Sequence, residues 1–203
     1  MQTVVVGGQA RKIGKTSVIV SLLRGLRAFD WTAVKITQHQ PDLHLPRGAS
    51  SPGCEDFALT EERTDCGRGD THRYLAAGAR RALWMQVRPG SLPRAFLALL
   101  AALANDRLVM MESNRILDFL KPDLFLLVLD SRVRDFKKSA RKFFPRADAL
   151  ISVGPLNSRA WPGLDAKRFR GKRVFTVSRP DSFSPELCRF VRRTLRLPAP
   201  PSA

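Results

Sequence analysis

Between an apolar β-branched run, Thr3 to Val6, and an apolar stretch with helical spacing at Val18, Ile19, Leu22, Leu23 and Leu26 lie Gly7, Gly8 and then Gly14-Lys15-Thr16-Ser17. A glycine loop joining a strand to a helix suits phosphate. Successive backbone N–H groups converge on an anion, and the free N–H groups of the helix start add to them. In the pattern G-x-x-x-x-G-K-[ST], Lys15 would reach the β- and γ-phosphates of ATP or GTP and the Thr16 hydroxyl would hold Mg²⁺. The backbone from Gly8 to Gly14, with Ser17, would complete the cradle. The pattern places its first glycine where Gln9 stands, so the loop counted from Gly8 is one residue longer. Gly7 and Gly8 both tolerate positive φ, and a bulge there is expected to absorb the extra residue.

Such a site needs an acid from a neighbouring strand. Arg107 to Asn114 is an apolar run ending in Glu112, as expected of a buried parallel strand that carries a carboxylate to the phosphate end of a sheet. Glu112 would contact Mg²⁺, directly or through water, with Ser113 and Asn114 following it into the site. Trp31 to Gln38 alternates like a strand and ends in polar residues, so Lys35 would face the same loop and neutralise charge on a transferred phosphoryl group. Asp70 has two readings: a helix N-cap, or a metal contact and acceptor of a substrate proton, with Arg73 one turn along to meet phosphate. Asn157, after a late strand, is a candidate for base contact.

These residues require strands alternating with helices, and the pattern supplies them. Strands are expected at 81–87, 123–130, 147–153 and 172–178, besides the three already named. Helices follow at 70–78, at 92–104 behind Ser91, at 134–144 before Pro145, and from Ser184-Pro185-Glu186 to about 195. The fold class is therefore α/β: a mostly parallel sheet of about seven strands, covered by helices on both faces. One domain over 1–197 with a frayed tail at 198–203 is expected. Residues 40–69 lose periodicity and gather proline and glycine, which marks a functional or mobile loop. Within it, Phe57, Ala58 and Leu59 would form a short helix closing over the site. His39, His44, Cys54, Cys66 and His72 invite a zinc site, although their spacing lacks C-x-x-C or H-x-x-x-H; incidental polar residues are the other reading.

The chain has 203 residues and a formal charge of +17. Residues 132–196 hold 18 of the 35 Lys and Arg but only 5 of the 18 Asp and Glu. Two readings fit this basic third: a surface for nucleic acid or another polyanion, or an arginine-rich composition on solvated helix faces. The second is favoured because aromatic residues are not interleaved as in a stacking platform for single strands. No apolar run approaches the ~18 residues of a membrane span. Three cysteines without a paired framework and no visible secretory signal fit a cytoplasmic protein.

With these residues placed, the chain resembles P-loop NTPases of the molybdopterin-guanine dinucleotide biosynthesis protein B (MobB) type and, more distantly, dethiobiotin synthetase. The resemblance rests on four motifs in order: Gly14-Lys15-Thr16; Val34 to His39; Gly69-Asp70-Thr71 with Ala77-Gly78-Ala79; and Met111-Glu112-Ser113. It implies a three-layer P-loop NTPase fold, Mg²⁺-dependent binding of ATP or GTP, and NTP hydrolysis or phosphoryl transfer in a cofactor-biosynthesis accessory role. The acceptor would be water or a small metabolite, a cofactor-pathway protein is the alternative partner, and a homodimer is compatible with it. The related dimeric ATPases carry a lysine where Ala10 stands, and Lys12 or Arg11 would have to substitute. The competing expectation is a nucleotide-gated adaptor or polyanion-binding module using the basic third.

Overall fold

The computed structural model describes residues 1–38 and 56–199, so His39, His44 and Cys54 of the expected zinc set lie outside the described residues. The apolar runs become strands buried on both faces: β1 (Gln2–Gly8), β2 (Trp31–Gln38), β4 (Arg81–Val87), β5 (Leu108–Glu112), β6 (Leu124–Leu129) and β7 (Ala149–Val153), with β3 (Phe57–Glu62) and β8 (Arg173–Val177) at the edges. Period-two alternation sorts their side chains into two cores. Val4, Val6 and Met110 pack on one face with Ile19 and Leu22 of α1 (Lys15–Gly25), Tyr74 of α2 (Asp70–Ala76) and Val191 of α5 (Pro185–Thr194). Val5, Val109 and Met111 pack on the other with Leu99 of α3 (Leu92–Ala102) and Phe143 of α4 (Lys138–Phe143). Three layers result, as expected of continuous apolar strands that must be covered twice.

The strand order is β3-β4-β2-β5-β1-β6-β7-β8, and every pairing is parallel except β3 with β4. β1 lies between β5 and β6, so the chain winds to one side of β1 through β2, β4 and β5 and then crosses to the other. Ligands of open α/β sheets sit beyond the carboxyl ends of the strands at such a reversal. The register places Val6 opposite Glu112, and Glu112 opposite Lys35.

Four local expectations are corrected. Residues 57–62 form an antiparallel edge strand and not a short helix, which brings the expected sheet of about seven strands to eight. Their Ala-Leu-Thr-Glu-Glu composition is compatible with a helix, but pairing with β4 overrides it, and Arg81 on β4 binds Glu61 through two hydrogen bonds of 2.8 and 2.9 Å. The expected helix at 134–144 contracts to Lys138–Phe143 followed by a 3₁₀ turn at Phe144–Arg146. The N-cap of α2 is Gly69, and the Asp70 carboxylate turns instead to Lys35. Neither Gly7 nor Gly8 takes positive φ; the left-handed residues of the loop are Lys12 (φ 58°) and Gly14 (φ 89°).

Candidate functional site

Gly7 and Gly8 serve close approach rather than a bulge. A Cβ on Gly7 would lie 2.4 Å from Asn114 Oδ1, and one on Gly8 2.8 Å from the Lys15 side chain. Asn114 exploits the first gap: its Oδ1 accepts from Gly8 N–H and its Nδ2 donates to Gly8 O, each at 2.8 Å. Gln9 is fully buried. Its Nε2 donates to the carbonyls of Asp130 (3.0 Å) and Val133 (2.8 Å), and its Oε1 accepts from Asp130 N–H at 2.8 Å. The residue that breaks the motif is thus a brace between the loop and the segment after β6. Gln9→Gly, which writes the pattern's glycine back, is expected to lower stability by about 2–4 kcal/mol by stranding buried polar groups. Denaturant unfolding checks it; unchanged or raised stability would refute the bracing role.

Beyond the loop, α1 carries Lys15 and Thr16 toward Glu112, which is 4% exposed. Glu112 Oε2 accepts from Thr16 Oγ1 at 2.6 Å and from the buried Tyr74 hydroxyl at 2.7 Å. Its Oε1 lies 2.7 Å from Lys35 Nζ and 3.6 Å from Lys15 Nζ. Lys35 Nζ also meets Asp70 Oδ2 at 2.8 Å. Burial pushes the Glu112 carboxyl up, but the charges of Lys35 and Lys15 and the hydrogen bonds from Lys35 and Thr16 outweigh it, leaving the group below its ordinary value. Lys15 is also lowered: burial dominates, Lys35 adds to it, and Glu112 compensates only in part. The carboxylate is therefore well supplied with cations while the Lys15 ammonium is under-supplied with anions. Burial, reinforced by Glu112, pushes the Tyr74 phenol well up, so it stays a neutral donor.

A cleft of about 750 Å³ opens over this group, lined by the loop, the end of β2 and residues 113–115 and 137–139. Among the described residues, six cationic side chains line it, Arg11, Lys15, Lys35, Arg115, Lys137 and Lys138, against one carboxylate, Glu112. Burial, with Lys15 and Arg11 adding to it, lowers Lys137 to about 8 against the opposing pull of Asp135 and Glu112. Because the unfolded chain then holds a proton that the folded one releases, this group makes stability rise as pH climbs from about 8 toward its ordinary 10.5. Competitive amine labelling followed by mass spectrometry is expected to show Lys137 half-deprotonated near pH 8. Titration near pH 10.5 would remove the electrostatic contact with Lys15 and Arg11.

The oxygens gathered here, the Thr16 hydroxyl and the Glu112 and Asp70 carboxylates, are the hard donors that suit Mg²⁺, so the residues fit that ion. Ser17 accepts from Arg73 Nη2 at 3.1 Å, joining α1 to α2. Asn157 does not line the cleft: its Oδ1 caps its own turn by accepting from Arg159 N–H, and its N–H donates to Ser131. The described part of the zinc set is dispersed among other partners. His72 binds the Thr64 carbonyl and Glu62, and Cys66 donates to Asp65. No group of three or more His, Cys, Asp or Glu that could hold a metal occurs among the described residues. Several basic residues of the C-terminal third satisfy internal carbonyls: Arg146 binds those of Leu117 and Leu120, and Lys172 those of Pro145 and Ala147. Sequence reasoning missed Tyr74, the bracing by Gln9 and Lys137. Only Tyr74 had a signal, its i+4 spacing from Asp70 on one helix face.

The three-layer α/β fold, with its mostly parallel sheet, is shared with solved structures. One is the "apo" form of LpxK from Aquifex aeolicus in complex with ATP, at TM-score 0.51 and 17% identity, covering 87% of this chain and 53% of LpxK. Another is HypB from Helicobacter pylori in complex with nickel, at TM-score 0.51 and 14% identity, covering 100% of this chain and 92% of HypB. The chain thus spans about half the length of LpxK. No family model and no curated protein sequence matches it. No helix among the described residues is long and apolar enough to cross a membrane.

Proposed function

We propose that this protein binds a purine nucleotide, ATP or GTP, with Mg²⁺ and hydrolyses it or transfers its terminal phosphoryl group to a small acceptor. The observation that carries the proposal is the convergence of Lys15, Lys35 and Glu112, with Thr16 bound to Glu112, at one cationic cleft at the carboxyl ends of β1, β2 and β5. Lys15 and the backbone between Gly8 and Gly14 would hold the β- and γ-phosphates, and the anion would complete the compensation that Lys15 lacks. Thr16 and Glu112, with Asp70, would hold Mg²⁺, which when bound supplies charge neutralisation on the phosphates. Lys35 lies between Glu112 and Asp70, where it can follow charge onto the transferred group. Asp70, 35% exposed, is placed to take a proton from the acceptor. LpxK in its ATP complex has the same fold, which supports a nucleotide as ligand. A MobB-like accessory role in cofactor biosynthesis rests on the order of the four motifs, and a cytoplasmic location on three cysteines without a paired framework.

The test is calorimetric titration with ATP and GTP, with and without Mg²⁺. Magnesium-dependent binding of one of them at micromolar affinity is expected. Binding of neither would overturn the proposal.

A further inference from the structure

The cleft is built from two walls, and phosphate on the loop engages only one. Arg11 and Lys15 belong to the loop and the start of α1, and Lys35 to β2; Arg115, Lys137 and Lys138 line the same cleft from the segments that follow β5 and β6. The second wall is fastened to the first. Gln9 O accepts from Lys137 N–H at 2.8 Å, while the Gln9 side chain holds the carbonyls of Asp130 and Val133 that lead into that segment. Asn114, preceding Arg115, is locked to Gly8 by two hydrogen bonds and reaches Ser139 Oγ at 3.4 Å. Two braced carboxamides therefore set the spacing of Lys137, Ser139 and Arg115 from the phosphate loop.

Charge decides what such spacing is for. A magnesium nucleoside triphosphate brings about two net negative charges. Among the described residues the cleft lining presents six cations and one carboxylate, with Asp70 beside Lys35 as a second, an excess that this ligand leaves incompletely matched. Like charges held together in a cleft disfavour the free state and favour anions entering it. Lys137 has its proton affinity lowered first by burial and then by the neighbouring charges of Lys15 and Arg11.

We propose that Arg115, Lys137 and Lys138, with the Ser139 hydroxyl, form a second oxyanion subsite, and that the acceptor is a small molecule carrying a phosphate or carboxylate group that docks there. This deepens the nucleotide assignment above and rests on it. The anion would anchor the acceptor beside the phosphate loop, so that its nucleophile faces the terminal phosphoryl group.

The probe is inorganic phosphate, titrated into protein saturated with Mg²⁺ and the non-hydrolysable imido analogue of ATP or GTP, at constant ionic strength set with chloride. Millimolar binding is expected, weakened at least about tenfold in the variant Arg115→Gln/Lys137→Met/Lys138→Gln, with analogue affinity altered less than about threefold. No phosphate binding to the loaded protein, or equal binding by the variant, would overturn the subsite. Parallel loss of analogue binding would overturn it too, by assigning the wall to the nucleotide's own phosphates. If the analogue fails to bind wild type, the nucleotide assignment fails by itself. Phosphate titration of the free protein then scores the wall: weakening in the variant supports it, and indifference overturns it.

Discussion

Lys15→Ala is expected to weaken Mg²⁺-nucleotide binding at least about a hundredfold, some 3 kcal/mol or more, by removing the charge-assisted contacts to the β- and γ-phosphates. The fold should survive the change. Lys35, at 2.7 Å, still compensates Glu112 when Lys15, at 3.6 Å, is gone, and burial already disfavours the Lys15 ammonium. Stability within about 1 kcal/mol of wild type is therefore the expected control, read by denaturant unfolding. Retained binding in a folded variant would mean that the loop is not the phosphate site, whatever its sequence.

Glu112→Gln separates binding from turnover. The amide keeps the size of the side chain but cannot supply the charge that organises Mg²⁺, and turnover is expected to fall about 10²- to 10³-fold while nucleotide affinity stays near wild type. The free variant should lose about 3–5 kcal/mol, because Lys15 and Lys35 are left facing a neutral group. Saturating nucleotide should raise its stability by about 2.7 kcal/mol at a hundred times its Kd, the same gain as wild type at equal affinity. Acid gives an independent readout. The Glu112 carboxyl lies lower in the folded chain than its ordinary 4.5, so its stabilisation is complete above about 4.5 and disappears as pH falls through the lower folded value. Wild type should therefore converge on the variant in unfolding experiments at the acid end. Steady-state hydrolysis near the wild-type rate would remove Glu112 from the chemistry assigned to it.

Both predictions concern residues that local pattern exposes. The strand from Gln2, the glycine break, Lys15-Thr16 and the helix behind them are adjacent in the chain, and apolar periodicity is enough to mark them. Glu112 was legible for the same reason, as the acid that ends a run of buried apolar residues. Lys35 and Asp70 were legible as polar groups at the end of one element and the start of another. Their meeting at 2.8 Å depends on Asp70 not serving as the cap that its position suggested.

Other features depended on contacts that sequence spacing does not reveal. Phe57 to Glu62 became a strand because an open edge of β4 and Arg81 were available to it, a condition set 20 and more residues away. Gln9 looked like a flaw in a motif until the segment 121 residues further on came beside it as acceptor and donor. Tyr74 reaches Glu112 across 38 positions, and Lys137 stands at the phosphate cleft because β6 lies against β1. By itself the sequence determined the α/β class, the phosphate-loop signature and the acid at the end of β5, since each is written in neighbouring residues through periodicity and side-chain chemistry. Only the tertiary structure decided which strands lie beside β1, and with them the compensation of Glu112, the bracing of the loop and the second cationic wall. Strand order is a property of the packed sheet, fixed by burial of both faces and crossover geometry rather than by any local pattern.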